Sequence, residues 1–351
     1  MKMKIAFFDA KSYEISYFNE ANKKFGFEIT YHKQLISPDN TILARGSNVL
    51  CAFVNDQITA PIIDDLYEQG IRLIALRCAG YNNVDFAAAF GKIHVVRVPG
   101  YSPYAVAEHC VALIMSLNRK IHRAYFRTRD ANFSLNGLMG YDLHGKTAGI
   151  IGTGRIGKVL ITILRGFGMH VLAFDPHPDI EFEKYSGCRY VTVNEIFSSA
   201  DILSLNCPLS KETEYLINKE TIDAMKKGVM IINTGRGKLI KTQDLIKGLK
   251  SGKVGAAGLD VYEEESDYFF KDHSNEVMND DMLARLLSFP NVIVTSHQAF
   301  FTHEAYTNIT EMTLQNIDDF RTNKMPHPNE ICYRCSSANP QCHRKDGIAC
   351  F

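Results

Sequence analysis

Residues Ala148 to Pro176 read AGIIGTGRIGKVLITILRGFGMHVLAFDP, and the fold is decided by this stretch. An apolar β-type run, Ala148 to Ile151, leads into Gly152, Gly154 and Gly157 at G-x-G-x-x-G spacing. Ile156, Val159, Leu160, Ile163, Leu164 and Phe167 then recur at helical spacing, so the loop opens a helix whose apolar face must lie on a sheet. A second run, Val171 to Phe174, ends in Asp175. The three glycines serve different physical ends. Gly152 makes the tight turn, Gly154 lets a pyrophosphate approach the backbone, and Gly157 allows close packing of helix on strand. The free N–H groups and partial positive charge of the helix N-terminus, where Arg155 stands, suit phosphate. Asp175 can accept hydrogen bonds from both hydroxyls of an adenosine ribose and would repel a 2′-phosphate. Pro176 and His177 follow it rather than a strong base, so the expected cofactor is NAD and not NADP.

Outward from this unit, further β-type runs alternate with helical patterns: Lys4 to Phe8, Val49 to Val54, Arg72 to Leu76, His94 to Val98, Ile202 to Leu205, Val229 to Asn233 and Val292 to Thr295. Alternation of this kind predicts an α/β protein with parallel sheets wound by crossover helices. A long helix is expected after Pro103, where Val106, Cys110, Leu113, Leu117 and Ile121 repeat and proline suits the first turn. The strand pattern stops at Pro99 to Pro103, and a second crossing is expected near Ala299 to His303. The predicted organisation is two doubly wound domains with a cleft between them: a discontinuous substrate domain of flavodoxin-like type, residues 1–101 and 300–330, and a Rossmann-type NAD-binding domain, residues 102–299. Residues 331–351 form a cysteine-rich tail.

Composition narrows the function. With 351 residues, 46% of them hydrophobic, the chain can fill two cores. Its 39 basic and 39 acidic side chains leave no electrostatic footprint for nucleic acid or an anionic membrane. No apolar stretch approaches the roughly 18 residues of a membrane span. The first ten residues, MKMKIAFFDA, read as a strand and not as a signal peptide, so a cytoplasmic protein is expected.

Polar residues stand where three further runs end: NTGRG at Asn233 to Gly237, LDVYEEE at Leu259 to Glu265, and SHQAF at Ser296 to Phe300. Ligands of open α/β sheets bind outside the carboxyl ends of the strands. Arg236, an acid of the second segment and His297 can therefore meet a substrate together. Reduction of a keto acid needs a proton donor active near neutrality, which suits His297. It also needs a planar cation for the carboxylate, which suits Arg236. A carboxylate beside His297 would favour the imidazolium.

GTGRIG, NTGRG, DVYEEE and SHQAF, in this order and spacing, resemble the D-isomer-specific 2-hydroxyacid dehydrogenases, and the wider text is most similar to the bacterial fermentative D-lactate dehydrogenases. LRCAGYNNVD at Leu76 to Asp85 and VPGYSPYAVAEH at Val98 to His109 add to the likeness, which runs from about residue 3 to about residue 330. The resemblance implies NADH-dependent reduction of pyruvate to D-lactate, with His297 as acid/base, Arg236 on the substrate carboxylate and Glu265 as the partner of His297. It further implies Gly152, Gly154, Arg155, Ile156, Gly157 and Asp175, with Cys207, Pro208, Thr234 and Asp260, along the cofactor. Backbone N–H groups of Ala79 and Gly80 would hold the substrate, with Tyr101, Phe53 and Phe300 lining its side-chain pocket. A homodimer or homotetramer is implied as well. The alternatives are a reductase of hydroxypyruvate, glyoxylate or longer 2-keto acids, and an NADH-sensing corepressor-like binding protein.

The tail, CYRCSSANPQCHRKDGIACF from Cys332, has no counterpart in that family and holds four of the nine cysteines. No metal is expected in the dehydrogenase body. Cys332 and Cys335 are spaced C-x2-C, and Cys342 or His343 with Cys350 can complete four metal ligands. Cys51, Cys78, Cys110, Cys188 and Cys207 read as small buried hydrophobes of a reducing compartment.

Overall fold

In a computed structural model describing residues 2–265, 268–324 and 328–331, the chain divides into two compact units. Of the described residues, those up to Ser102 and from Thr302 form one unit, and those from Pro103 to Phe301 the other. The tail ligand candidates, Cys332, Cys335, Cys342, His343 and Cys350, lie outside the described residues.

The first unit is built on five parallel strands, β1 (Lys4–Phe7), β2 (Glu28–Tyr31), β3 (Val49–Ala52), β4 (Leu73–Leu76) and β5 (His94–Val96), in the order β2-β1-β3-β4-β5. Its two central strands, β3 and β4, are buried at every position, because helices cover both faces. One apolar layer gathers Leu50, Ile62, Leu66 and Ile74; the other gathers Phe7, Phe18, Leu73, Leu314 and Ile317, the last two from the helix His303–Arg321.

The second unit carries seven parallel strands: β6 (Thr147–Ile151), β7 (His170–Phe174), β8 (Cys188–Tyr190), β9 (Ile202–Leu205), β10 (Val229–Asn233), β11 (Val254–Leu259) and β12 (Val292–Val294). Their order is β12-β11-β10-β9-β6-β7-β8, so the winding reverses between β6 and β9, the switch point at which such sheets bind ligands. Three strands escape the sequence pattern. β2 and β8 are short edges, and β11, VGAAGL, lacks the β-branched run that marks a strand. Its small residues have a packing cause: a Cβ on Gly258 would stand 2.9 Å from Ile232 Cδ1 and 3.1 Å from Leu113 Cβ, on the helix Pro103–Arg119.

Two helical expectations are corrected. The helix after Pro103 ends at Arg119, because Lys120 adopts φ +51° and ψ 36°, and Ile121 is 55% exposed instead of continuing the buried face. Phe167 likewise lies beyond the end of the helix Arg155–Gly166 and is exposed, while Gly157, Leu160, Ile161 and Leu164 form its buried face. Of the five body cysteines all are free; Cys207 is half-buried and the other four are buried.

Candidate active site

The glycine loop sits at the switch point of the second sheet. Gly152 has φ +95°, and a Cβ there would meet the Asn206 and Cys207 backbone at 2.6 Å, so the turn after β6 is pressed against the segment after β9. A Cβ on Gly157 would lie 2.1 Å from the Gly152 carbonyl oxygen, which is the close helix–strand contact expected of that glycine. Gly154 is different: its missing Cβ faces open space, and the helix it caps has no side-chain cap. Backbone N–H groups at this end are therefore open to an anion. Arg155 and Ile156 begin the helix, with Arg155 exposed. Asp175, directly after β7, accepts hydrogen bonds at Oδ2 from Thr153 N (2.8 Å) and Thr153 Oγ1 (3.2 Å), and at Oδ1 from His177 N (3.0 Å). An open glycine face, an uncapped helix start and a fixed carboxylate fit the pyrophosphate and adenosine ribose of NAD. Pro208 follows Cys207 beyond β9, and burial pushes the Cys207 thiol up to about 11, leaving it protonated near neutrality.

The second cluster lies at the carboxyl ends of β10, β11 and β12, three adjacent strands. Arg236 follows β10; its Nη1 donates to the Gly235 carbonyl at 2.8 Å. Thr234, nearly buried, shares a 3.1 Å contact with Cys110 Sγ. After β11 the chain reaches Glu265, whose Oε1 stands 3.0 Å from His297 Nδ1, beyond β12. Neighbouring Glu263 is otherwise engaged, accepting from Tyr215 OH (2.6 Å) and Thr242 N (3.1 Å). Of the acids in DVYEEE that can accept from His297, Glu265 is thus the one the fold turns toward it.

Asp260 occupies a different place from the other expected cofactor residues. Its side chain is wholly buried beneath the Ser296–Phe300 turn. Oδ1 accepts from Thr295 Oγ1 (2.5 Å) and Gln298 N (2.9 Å), Oδ2 accepts from Ala299 N (2.8 Å), and the Asp260 carbonyl accepts from His297 N (2.8 Å). Burial alone would raise its pKa, but these donors, with His109, outweigh it and hold the carboxylate below its usual range. The turn it secures is one a histidine does not adopt freely, since His297 has φ +54°. His109, which motif reading passes over, stands 3.1 Å from Thr295 Oγ1 and 3.4 Å from Asp260 Oδ1. Because Thr295 donates to Asp260, its oxygen is the acceptor for His109 Nε2. No spacing rule singles out His109, since its partner is 151 positions away in Asp260.

Within the first unit, Ala79 and Gly80 follow β4, and among the described residues their N–H groups have no hydrogen-bond acceptor. The Ala79 carbonyl accepts from Arg97 Nη1 at 2.7 Å. Phe53 follows β3 with its ring centre 5.2 Å from the Arg77 guanidinium, and the Tyr101 carbonyl accepts from Asn308 Nδ2 at 2.7 Å. Phe300 belongs to the second unit, buried with its ring 6.0 Å from that of Phe301. Among the described residues, no group of three or more His, Cys, Asp or Glu side chains is arranged to hold a metal, and no helix is long and apolar enough to cross a membrane.

Known proteins are similar to this chain in sequence and in fold. The sequence model described as "D-isomer specific 2-hydroxyacid dehydrogenase, NAD binding domain" matches residues 111–299. The 2-hydroxyacid dehydrogenase homolog 1 of Schizosaccharomyces pombe is 51% identical over 320 residues, 91% of this chain and 96% of its own length. The D-lactate dehydrogenase of Escherichia coli is 48% identical over 331 residues, 94% of this chain and 100% of its own. Its apo structure aligns with a TM-score of 0.85 at 46% identity, covering 94% and 100% of the two chains. The structure reported as the pyruvate reductase of Chlamydomonas reinhardtii gives a TM-score of 0.88 at 42% identity, covering 92% and 97%. By its glycine loop and parallel sheets, and by identity of this extent, the chain belongs to the D-isomer-specific 2-hydroxyacid dehydrogenases, enzymes that use NAD to interconvert 2-hydroxy and 2-keto acids.

Proposed function

We propose that the protein reduces pyruvate to D-lactate with NADH, reversibly, using His297 as acid/base, Glu265 as its partner and Arg236 as the clamp on the substrate carboxylate. The observation that carries this reading is the 3.0 Å pairing of His297 Nδ1 with Glu265 Oε1, beside the strand end that bears Arg236. NADH, when bound, supplies the hydride for the ketone carbon. With Nδ1–H donated to Glu265, Nε2 is the atom left to give a proton to the ketone oxygen, and the carboxylate stabilises the imidazolium before transfer. One N–H of Arg236 is used on Gly235, which leaves the rest of the fork for paired bonds to a carboxylate. Asp260 acts through the turn that it holds rather than by contact, and the open amides of Ala79 and Gly80 are donors of a kind that suits a carboxylate. Phe53 and Tyr101, both of the first unit, are aromatic, which suits a methyl group better than a phosphate or second carboxylate. The names of the E. coli and Chlamydomonas relatives support the same substrate.

The test is NADH oxidation with pyruvate, hydroxypyruvate, glyoxylate, phenylpyruvate and oxaloacetate, followed by chiral analysis of the product. Highest kcat/KM on pyruvate with D-lactate formed supports the proposal; a preference for another acid reassigns the substrate. Absence of turnover on all five favours a binding protein. For self-association, the supporting feature is the helix Ile121–Arg129, which has no buried residue and exposes Ile121, Tyr125 and Phe126. Light scattering of the purified chain decides whether it is a dimer or a higher assembly.

A further inference from the structure

The carboxylate of Asp175 is held by a chain of hydroxyls that starts on another strand. Thr153, the second residue of the glycine loop, is almost fully buried and donates to Asp175 Oδ2 from both its backbone nitrogen and its side chain. Tyr190, the last residue of β8, donates its phenolic hydrogen to Thr153 Oγ1 at 2.8 Å. That bond sets the direction of the next one: an oxygen accepting from Tyr190 directs its own hydrogen toward Asp175. Tyr190 is itself anchored, opposite Ala173 in the β7–β8 ladder and through its N–H to Glu183 Oε1 at 2.8 Å. The other carboxylate oxygen is fixed by His177 N. Three separate segments thus determine how one carboxylate stands.

We propose that Thr153 and Tyr190 are positioning residues that set the selectivity for NAD over NADP by holding the Asp175 carboxylate at the adenosine ribose. This rests on reading Asp175 as the acceptor of the ribose hydroxyls. The physical ground is that rejection of a 2′-phosphate is a repulsive device, which works only while the charge cannot move aside. An exposed aspartate with free rotamers can swing toward water; one tied at both oxygens cannot, and it is also ready to accept the ribose without further ordering. Loosening the tie weakens NADH while the repulsion it relieves leaves NADPH little changed, a signature that general damage to the fold does not produce.

The experiment measures Kd for NADH and for NADPH on the full chain by fluorescence titration. Thr153→Val, which keeps shape and the backbone donor but removes the hydroxyl, is expected to weaken NADH by about tenfold. NADPH should change by no more than about twofold, so that the ratio of the two constants falls by about fivefold or more. Tyr190→Phe should lower the ratio in the same direction by about threefold, and Thr153→Ser should restore it to within about twofold of the parent. Equal weakening of both cofactors, or an unchanged ratio in Thr153→Val, overturns the proposal. Asp175→Ala is measured alongside. If it leaves the ratio unchanged, the ribose reading itself falls and the proposal with it; if it collapses the ratio while Thr153→Val and Tyr190→Phe do not, only the positioning role is overturned.

Discussion

His297 shows what one residue asks of its surroundings. Its φ of +54° costs about 1 kcal/mol or more for a side chain with a Cβ, and the turn persists because Asp260 fixes it from beneath. His297→Gln should lower kcat by about 10³-fold or more while NADH binding stays within about twofold, since only the proposed proton donor is removed; near-normal turnover in a stopped-flow assay would sink the assignment. Asp260→Asn tests the support separately. An amide can accept at only one end, so either Thr295 and Gln298 or Ala299 loses its acceptor, and kcat should fall by about 10- to 100-fold with little change in global stability. A drop confined to thermal stability, with kcat intact, would show that the turn does not need the carboxylate. The two roles were unequally legible: the histidine and arginine announce themselves by chemistry at strand ends, whereas burial of Asp260 and the part of His109 depend on contacts across 35 to 186 positions.

Among the elements, the β6 strand and the helix Arg155–Gly166 were the most legible, because their contact is encoded within a few residues. Gly157→Ala tests that contact directly. The added methyl would stand 2.1 Å from the Gly152 oxygen, backbone that cannot yield cheaply, so a loss of about 1–3 kcal/mol in urea denaturation is expected, with NADH affinity falling as the loop shifts. Gly154→Ala meets no atom within 4 Å and should leave stability nearly unchanged, so a comparable destabilisation there would contradict the division of roles. Less legible elements failed for reasons of the same scale. Helical spacing carries on past Arg119, but Lys120 turns left-handed and the apolar side chains after it stand exposed. β11 is concealed by its run of small residues, among which Gly258 lets the helix Pro103–Arg119 approach it.

At the scale of whole units, the first is held around a buried charged centre drawn from distant parts of the chain. Arg77, with no exposed side-chain surface, donates from Nε to Glu14 Oε1 at 2.9 Å and from Nη2 to the carbonyls of Phe8 (2.9 Å) and Asp9 (3.1 Å), and Tyr306 donates to the same Glu14. Nearby Asp56 accepts from Ile36 N (3.0 Å) and Phe53 N (2.8 Å), so it also fixes the segment that carries Phe53. Burial pushes its pKa up to about 6, against the opposing effect of Arg77 and those two donors. A carboxyl whose folded value lies above its unfolded value of 3.8 contributes stability that is full below pH 3.8 and is lost as the pH rises through about 6. Asp56→Asn should therefore remove a slope on the order of 2 kcal/mol between those limits. Urea midpoints of parent and variant at several pH values across that window provide the measurement, and a difference that does not vary with pH would show that Asp56 is not the titrating group.

Local order along the chain was enough to specify the α/β class, the cofactor loop and the polar candidates at strand ends, because each of these is written in neighbours or in regular spacing: a strand period, a helix period, three glycines, an acid at a strand end. Folding in three dimensions was needed to select which acid of DVYEEE turns to His297, to put Asp260 beneath the turn, to tie Asp175 through Thr153 and Tyr190, and to bring Arg77 to Glu14 and Tyr306. The reason is the same in each case. Burying a charge or fixing a strained turn requires several partners at once, and a chain can bring that many together only by joining segments that its order keeps far apart.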